Sequence, residues 1–305
     1  MNILDTIGNT PLVELTTLWK TETNGVRILV KMEGNNPGGS VKDRPALFML
    51  RSAIDKGLLT KEKTILEPTS GNTGIGMAMV AAALGYKIKL VMPACVSEER
   101  RSILAAFGAE VELTPGCDRT DGSIRRANHI LEDFSDLYYM PDQFSNESNW
   151  MAHYKTTAPE IIRDTKGDVS LFVAGLGTSG TLMGCSRYFR EYNTITKVAG
   201  VEPNRNHRIQ GLKNMDESIV PKIYDPSLLD HKLNISDEDA FETVRDLAIR
   251  EGIFCGISSG AAVRAAIHLA HDMPRGSTIV TLLPDRGDRY LSTEVFRSVC
   301  AECPP

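Results

Sequence analysis

Leu171-Phe172-Val173-Ala174-Gly175-Leu176-Gly177-Thr178-Ser179-Gly180-Thr181 is the stretch that decides the fold. Residues 171–174 are an apolar run of strand length that ends in a glycine-rich loop. A helical pattern over 181–192 follows at once, and 197–202 reads as a second strand. Strand, helix and strand at this spacing make a parallel crossover unit, which predicts a sheet covered by helices. Such sheets bind ligands beyond the carboxyl ends of their strands, where this loop lies. Gly177 and Gly180 permit close backbone approach, while Thr178, Ser179 and Thr181 add hydroxyls to the free amides of a helix start. That combination cradles phosphate oxygens. The loop also fits the dinucleotide spacing G-x-G-x-x-G, with Glu202 about where a ribose-binding acid belongs. Its density of hydroxyls favours a phosphate monoester, which has more oxygens to satisfy than a pyrophosphate.

The alternation extends in both directions. Strands at 26–32, 64–67, 87–92, 110–114 and 137–140 alternate with helices at 74–84, 98–107 and 123–133, the second stopped by Gly108. Beyond 144–150, helices at 150–164, 237–251 and 260–271 lead to a last strand at 278–283. The expected fold class is α/β, with two doubly wound domains facing a cleft. Residues 36–147 form a smaller, mobile domain that carries the substrate-carboxylate loop. Residues 1–35 together with 148–305 form a larger one that carries the phosphate loop.

Composition narrows the function classes. A length of 305 residues suits about two domains. The net charge of −5, spread along the chain, offers no basic face for nucleic acid. No run reaches the roughly 18 apolar residues that span a bilayer, and Asp5 with polar turns replaces a signal peptide's basic and apolar start. A cytoplasmic protein is the expectation. Six scattered cysteines do not make a disulfide framework, and Cys185 and Cys255 sit among small apolar residues that suit buried thiols. Neither Cys300 with Cys303 nor His268 with His271 supplies the four ligands zinc wants, so no metal is expected.

Three further loops carry chemistry. In Asn35-Asn36-Pro37-Gly38-Gly39-Ser40-Val41-Lys42-Asp43-Arg44-Pro45, Pro45 predicts a helix starting near Asp43, with Lys42 at its mouth. An amine at the positive end of a helix and beside Arg44 has its charged form disfavoured, which suits a nucleophile or base. A solvated lysine at a helix start is the plainer alternative. Thr69-Ser70-Gly71-Asn72-Thr73-Gly74 joins strand to helix and offers amides and hydroxyls to a small carboxylate, or simply caps the helix. Gly256-Ile257-Ser258-Ser259-Gly260 opens another helix, with a capping serine as the plain reading.

The four loops in this order resemble the fold-type II pyridoxal phosphate enzymes, which share the tryptophan synthase β-like fold, and within them the cysteine synthase (O-acetylserine sulfhydrylase) family. The likeness starts at Ile7-Gly8-Asn9-Thr10-Pro11-Leu12-Val13, passes through Ser40–Arg44 and closes with Arg289-Tyr290-Leu291-Ser292-Thr293. Glu251-Gly252-Ile253-Phe254-Cys255-Gly256 and Asp285-Arg286-Gly287-Asp288-Arg289 look most like the B-type branch. The resemblance implies that Lys42 bonds the aldehyde of pyridoxal 5'-phosphate and later moves the substrate α-proton. It implies that Asn72 meets the cofactor's phenolic oxygen, that Gly177, Thr178, Ser179, Gly180 and Thr181 hold its phosphate, and that Ser258 meets the pyridine nitrogen. Thr69, Ser70, Gly71, Thr73 and Gln143 take the substrate carboxylate. A neutral serine at the pyridine nitrogen limits the electron sink and suits β-elimination. The implied reaction converts O-acetyl-L-serine and sulfide to L-cysteine, in a homodimer.

The chain departs from the B-type pattern at two places. Pro284 precedes Asp285 where that branch tends to have cysteine, and Lys213-Asn214 falls about where it has paired arginines. Both flank the approach of the second substrate, so use of thiosulfate stays open. Same-fold enzymes that take O-phosphoserine or serine, such as cystathionine β-synthase, are the near alternatives. A nicotinamide dehydrogenase built on 175–180 is a distant one that leaves Lys42, Asn72 and Ser258 unexplained.

Overall fold

A computed structural model describes residues 1–21, 24–69 and 71–296. Two sheets organise these residues. A six-stranded sheet comprises β1 (Leu12–Glu14), β2 (Arg27–Met32), β7 (Leu171–Gly175), β8 (Lys197–Pro203), β9 (His231–Ile235) and β10 (Thr278–Leu283), in the order β1-β2-β10-β7-β8-β9. Every neighbouring pair is parallel except β1 with β2. A four-stranded parallel sheet holds β3 (Thr64–Pro68), β4 (Ile88–Pro93), β5 (Glu110–Thr114) and β6 (Tyr138–Tyr139), in the order β5-β4-β3-β6. The chain enters the second sheet after β2 and returns to the first after β6.

The helices are α1 (Asp43–Asp55), α2 (Asn72–Leu84), α3 (Glu98–Ala106), α4 (Arg119–Asp133), α5 (Glu147–Ala152), α6 (Ala158–Thr165), α7 (Gly180–Tyr192), α8 (Asp237–Glu251) and α9 (Ile257–Ala270). The α/β reading holds. β10 is buried at all six positions and β2 at its four central ones, as strands covered on both faces should be. α2 is apolar all round, and Gly74 and Gly76 let it lie close to its neighbours: a Cβ at Gly76 would come within 3.0 Å of the Lys42 carbonyl.

The differences from the expected elements have local causes. β1 and β9 were not anticipated. β1 is three residues long, and β9, His-Lys-Leu-Asn-Ile, is mostly exposed at a sheet edge, so its polarity hides it. The helix expected over 150–164 is two helices, α5 and α6, joined through a π-turn at His153–Thr157. There the Trp150 carbonyl and the Tyr154 amide press on Gly184 of α7 too closely for any side chain at that position. β6 covers only two of the four residues expected at 137–140.

Candidate active site

Lys42 is the N-cap of α1, and the loop before it is shaped to put it there. Gly39 adopts φ +79°, which a residue with a side chain resists, and its amide reaches the Asn36 carbonyl at 2.7 Å. The Gly38 amide donates to Asp43 Oδ2 at 2.6 Å, and a Cβ on Gly38 would stand 2.5 Å from Asp43 Oδ1. Burial holds the Asp43 carboxyl up, at about 7. Val41 N donates to the Pro284 carbonyl at 2.8 Å and Ser40 bridges Asp285, so the lysine loop is stitched to the carboxyl end of β10. Burial pushes the Lys42 ammonium pKa down, while the charges of Asp285 and Glu33 oppose that shift.

Arg44 does not play the part expected of it. Its guanidinium turns away, clasped by Glu33 (Nε to Oε2, 2.8 Å; Nη2 to Oε1, 2.8 Å) and by Glu160 (Nη1 to Oε1, 2.6 Å; Nη2 to Oε2, 2.8 Å). Two carboxylates compensate its charge, so desolvation and not Arg44 depresses Lys42.

The loop from Thr69 opens α2 with Gly71 as N-cap. Ser70 lies outside the described residues. Thr69 is buried and its Oγ1 accepts from Gly71 N at 3.2 Å. Thr73 Oγ1 donates to Gln143 Oε1 at 2.6 Å, and Gln143 Nε2 reaches the Pro68 carbonyl at 3.3 Å. Gln143 is itself placed by Glu67, which accepts from the amides of Asp142 at 3.1 Å and Gln143 at 3.2 Å. Burial raises the Glu67 carboxyl to about 8. Thr69, Gly71, Thr73 and Gln143 are thus linked around the start of α2.

Residues 176–179 lead from β7 into α7. Gly177 is crowded by the Gly211 carbonyl, 2.6 Å from where a Cβ would be, and a Cβ on Gly180 would overlap Asn149 Oδ1. Ser179 takes φ +67° as the N-cap of α7, and its Oγ is buried with no hydrogen-bond partner among the described residues. A buried hydroxyl left unsatisfied inside a glycine cradle at a helix start fits a phosphate that would complete it. Thr178 Oγ1 accepts from Asn149 Nδ2 at 3.1 Å, and Thr181 Oγ1 faces His153 Nε2 at 3.3 Å. His153 is buried and held neutral, its pKa pushed down to about 3 chiefly by desolvation. Ser258, in the first turn of α9, is buried, and its Oγ lies 3.9 Å from where a Cβ on Gly211 would be, so Gly211 stands between Gly177 and Ser258.

Two side chains given no site role by the sequence tie these loops together. Asn149 Nδ2 bonds both Thr178 Oγ1 and, at 2.7 Å, the Gln143 carbonyl. Asp285 accepts from Asn72 Nδ2 at 2.7 Å beside the lysine loop. Asp285 follows β10 at its carboxyl end, the one signal that could have flagged it. Asn149 lies within α5 and carries no such signal.

A family description for pyridoxal-phosphate dependent enzymes matches residues 3–285. A cysteine synthase of Aquifex aeolicus is 45% identical over 96% of this chain and 91% of its own. Cysteine synthase B of Salmonella typhimurium is 46% identical over 97% of this chain and 96% of its own. The chain belongs to the cysteine synthase family of pyridoxal-phosphate-dependent enzymes. A solved cysteine synthase from Entamoeba histolytica superposes with a TM-score of 0.91 at 40% identity, covering 97% of this chain and 90% of that one. An O-acetylserine dependent cystathionine beta-synthase from Helicobacter pylori does so with 0.91 at 36%, covering 97% and 99%. Membership accounts for the loops that a nicotinamide reading leaves idle, and Glu202, its would-be ribose ligand, is engaged by Lys232 at 3.4 Å. Among the described residues no group of three His, Cys, Asp or Glu is placed to hold a metal, and no helix is long and apolar enough to cross a membrane. Of the cysteines, Cys185 and Cys255 are buried, Cys95 and Cys117 are exposed, and Cys300 and Cys303 lie outside the described residues.

Proposed function

We propose that this pyridoxal-phosphate-dependent cysteine synthase takes O-acetyl-L-serine as its amino-acid substrate and sulfide as its sulfur donor. The observation that carries the reading is the chain of contacts that ties Asn72 to Asp285 beside the Lys42 loop and, through Asn149, ties Thr178 to Gln143 and Thr73. Pyridoxal phosphate, when bound, supplies an electron sink that lets the α-proton and the β-substituent of an amino acid leave. Lys42 Nζ would hold the cofactor, and the Lys42 amine would take the proton from the substrate Cα and return it. Gly177, Thr178, Ser179, Gly180 and Thr181 would hold the phosphate at the positive end of α7, and Ser258 would offer a neutral hydroxyl to the ring nitrogen. Thr69, Ser70, Gly71, Thr73 and Gln143 fix the carboxylate and so orient the Cα proton toward Lys42. Acetate departs, sulfide forms the new bond to Cβ, and cysteine is released.

The solved relatives show why the donor needs its own test. One is an O-ureido-L-serine synthase and another a hydrogen sulfide-producing enzyme, both 40% identical to this chain. Around the cleft, Lys213 Nζ sits 4.7 Å over the Phe144 ring, next to Gln143, with its pKa lowered by burial. Asn214 turns inward instead, donating to the Pro203 carbonyl at 2.9 Å. One cation there in place of a pair supports a small donor such as sulfide over thiosulfate. The proposal includes the division into 36–147 and 1–35 plus 148–305, a homodimer, and a cytoplasmic setting. The test offers O-acetylserine, O-phosphoserine and serine, each with sulfide, thiosulfate or homocysteine, and identifies products by mass spectrometry. Cysteine from O-acetylserine and sulfide is expected with kcat/KM at least about tenfold above any other pair, about 1.4 kcal/mol of discrimination. Faster turnover of serine or O-phosphoserine, or of homocysteine as acceptor, overturns it.

A further inference from the structure

Asp285 is buried, with 2% of its surface exposed, and it faces the cleft at the end of β10. Its Oδ2 accepts two hydrogen bonds, from Asn72 Nδ2 at 2.7 Å and from the Tyr290 hydroxyl at 2.6 Å. Its Oδ1 has no hydrogen-bond partner among the described residues and lies against Gly256, where any side chain would overlap it. The other end of the Asn72 amide is equally committed. Asn72 Oδ1 accepts from Arg289 Nη1, and Arg289 Nη2 donates to the Gly38 carbonyl in the loop before Lys42. The Asn72 amide therefore cannot turn over: a flip would set its N–H groups against a guanidinium and its oxygen against a carboxylate. Nδ2 carries two hydrogens, and Asp285 takes one of them.

We infer that Asp285 is a positioning residue which, with Arg289, fixes the facing of the Asn72 amide and leaves its second N–H for the cofactor's ring edge beside Lys42. This rests on the reading of Lys42 and Asn72 as cofactor-facing. The placement explains why a carboxylate is kept in so confined a site. A neutral acceptor could bond Asn72 equally well, but only a charged one also acts on Lys42 through space. Tyr290 and Gly256 then serve the carboxylate, one by donating to it and one by making room. Gly256 N also donates to the Asp285 carbonyl at 3.1 Å, so the loop that opens α9 is tied to the same residue.

The test uses the full-length protein, loaded with pyridoxal phosphate, as wild type, Asp285→Ala, Asp285→Asn, Asn72→Ala and the double variant of Asp285→Ala with Asn72→Ala. Three quantities are read: the absorbance of the lysine-bound cofactor against pH, the affinity of the cofactor-free protein for pyridoxal phosphate by fluorescence titration, and the thermal midpoint. Asp285→Ala is expected to weaken cofactor binding about tenfold and to shift the pH at which the absorbance changes. Asp285→Asn keeps the shape and an acceptor, so it retains most of the affinity and still shifts the pH profile. The double variant is expected to bind no worse than Asn72→Ala alone, because the two residues act through one amide. Losses that add in the double variant, or a lower thermal midpoint with spectrum and pH profile unchanged, overturn the inference and leave Asp285 a structural residue. If borohydride reduction of wild type tags no cofactor at Lys42, the underlying reading has failed instead; tagging at Lys42 with a silent Asp285→Ala sinks only the positioning role.

Discussion

The chemistry of this site is set by what burial does to single groups. Lys42 is the clearest instance: its sequence neighbour Arg44 suggests charge repulsion, yet Arg44 is clasped by Glu33 and Glu160, and desolvation carries the shift. A sequence lists neighbours along the chain, whereas a pKa depends on neighbours in space. For the same reason Asn149, Asp285 and Arg289, which the fold draws in from α5 and the end of β10, received no site role from the sequence. What was legible was backbone chemistry, since a glycine that must stay a glycine announces itself. Gly180 is one, because a side chain there would collide with Asn149 and pull it from Thr178 Oγ1 and the Gln143 carbonyl. Gly180→Ala should therefore weaken pyridoxal phosphate binding by about tenfold or more, about 1.4 kcal/mol, read by fluorescence titration of the cofactor-free protein. Unchanged affinity would contradict the assignment of this loop to the phosphate. Glu67, also buried, gives a pH signature. Its folded pKa of about 8 lies above the usual carboxyl value near 4.5, so the folded state keeps a proton that the unfolded chain has already lost. That contribution is whole below the unfolded pKa and is lost as pH rises toward the folded one, at up to about 1.4 kcal/mol per pH unit. Denaturant melts of Glu67→Gln should show a flatter decline between about pH 5 and pH 8 than wild type. Equal slopes would show that Glu67 is ionised in the fold.

Among the elements, α1 is the one on which the site stands, because its N-cap is Lys42 and its second residue, Arg44, is buried between two carboxylates. Arg44 is bound on one side to Glu33, just after β2, and on the other to Glu160 of α6. Lys31 joins the same cluster, 2.9 Å from Glu160 and 2.7 Å from the Thr10 carbonyl. The start of α1 is thereby anchored to the large sheet even though its body packs with α2 in the other. Removing one partner of such a cluster strands buried charge, at about 3–5 kcal/mol. Arg44→Ala should lower unfolding free energy by about that amount in denaturant titration, and a loss below about 1 kcal/mol would mean water relieves the cluster. Strand and helix types were legible wherever an apolar run was bounded by glycine or a polar turn, as at 171–181 and 278–283. They were not where an edge strand is polar, as β9 is, or where close packing of α7 opens a π-turn between α5 and α6.

Across the whole molecule, α3 is one of the places where the small parallel sheet's side of the chain meets the large one's. Arg100 Nη1 donates to Gln210 at 2.8 Å and its guanidinium lies 5.1 Å from the centre of the Tyr290 ring, while Ser292 donates to the neighbouring Glu99 at 3.2 Å. Arg100 also lies beside Gly71, 3.4 Å from where a Cβ there would be, so this contact reaches the loop that opens α2. The two-sheet α/β plan was legible from the repeated strand–loop–helix unit, but how the sheets face each other depends on such long-range pairs, which no local pattern encodes. The chemistry nevertheless comes down to one nitrogen, Lys42 Nζ. Borohydride reduction of the cofactor-loaded enzyme, followed by proteolysis and mass mapping, tests it most directly. The account predicts that the reduced pyridoxyl group is found on the peptide containing Lys42 and is absent in Lys42→Ala; a label on another lysine, or none in the wild type, would contradict it.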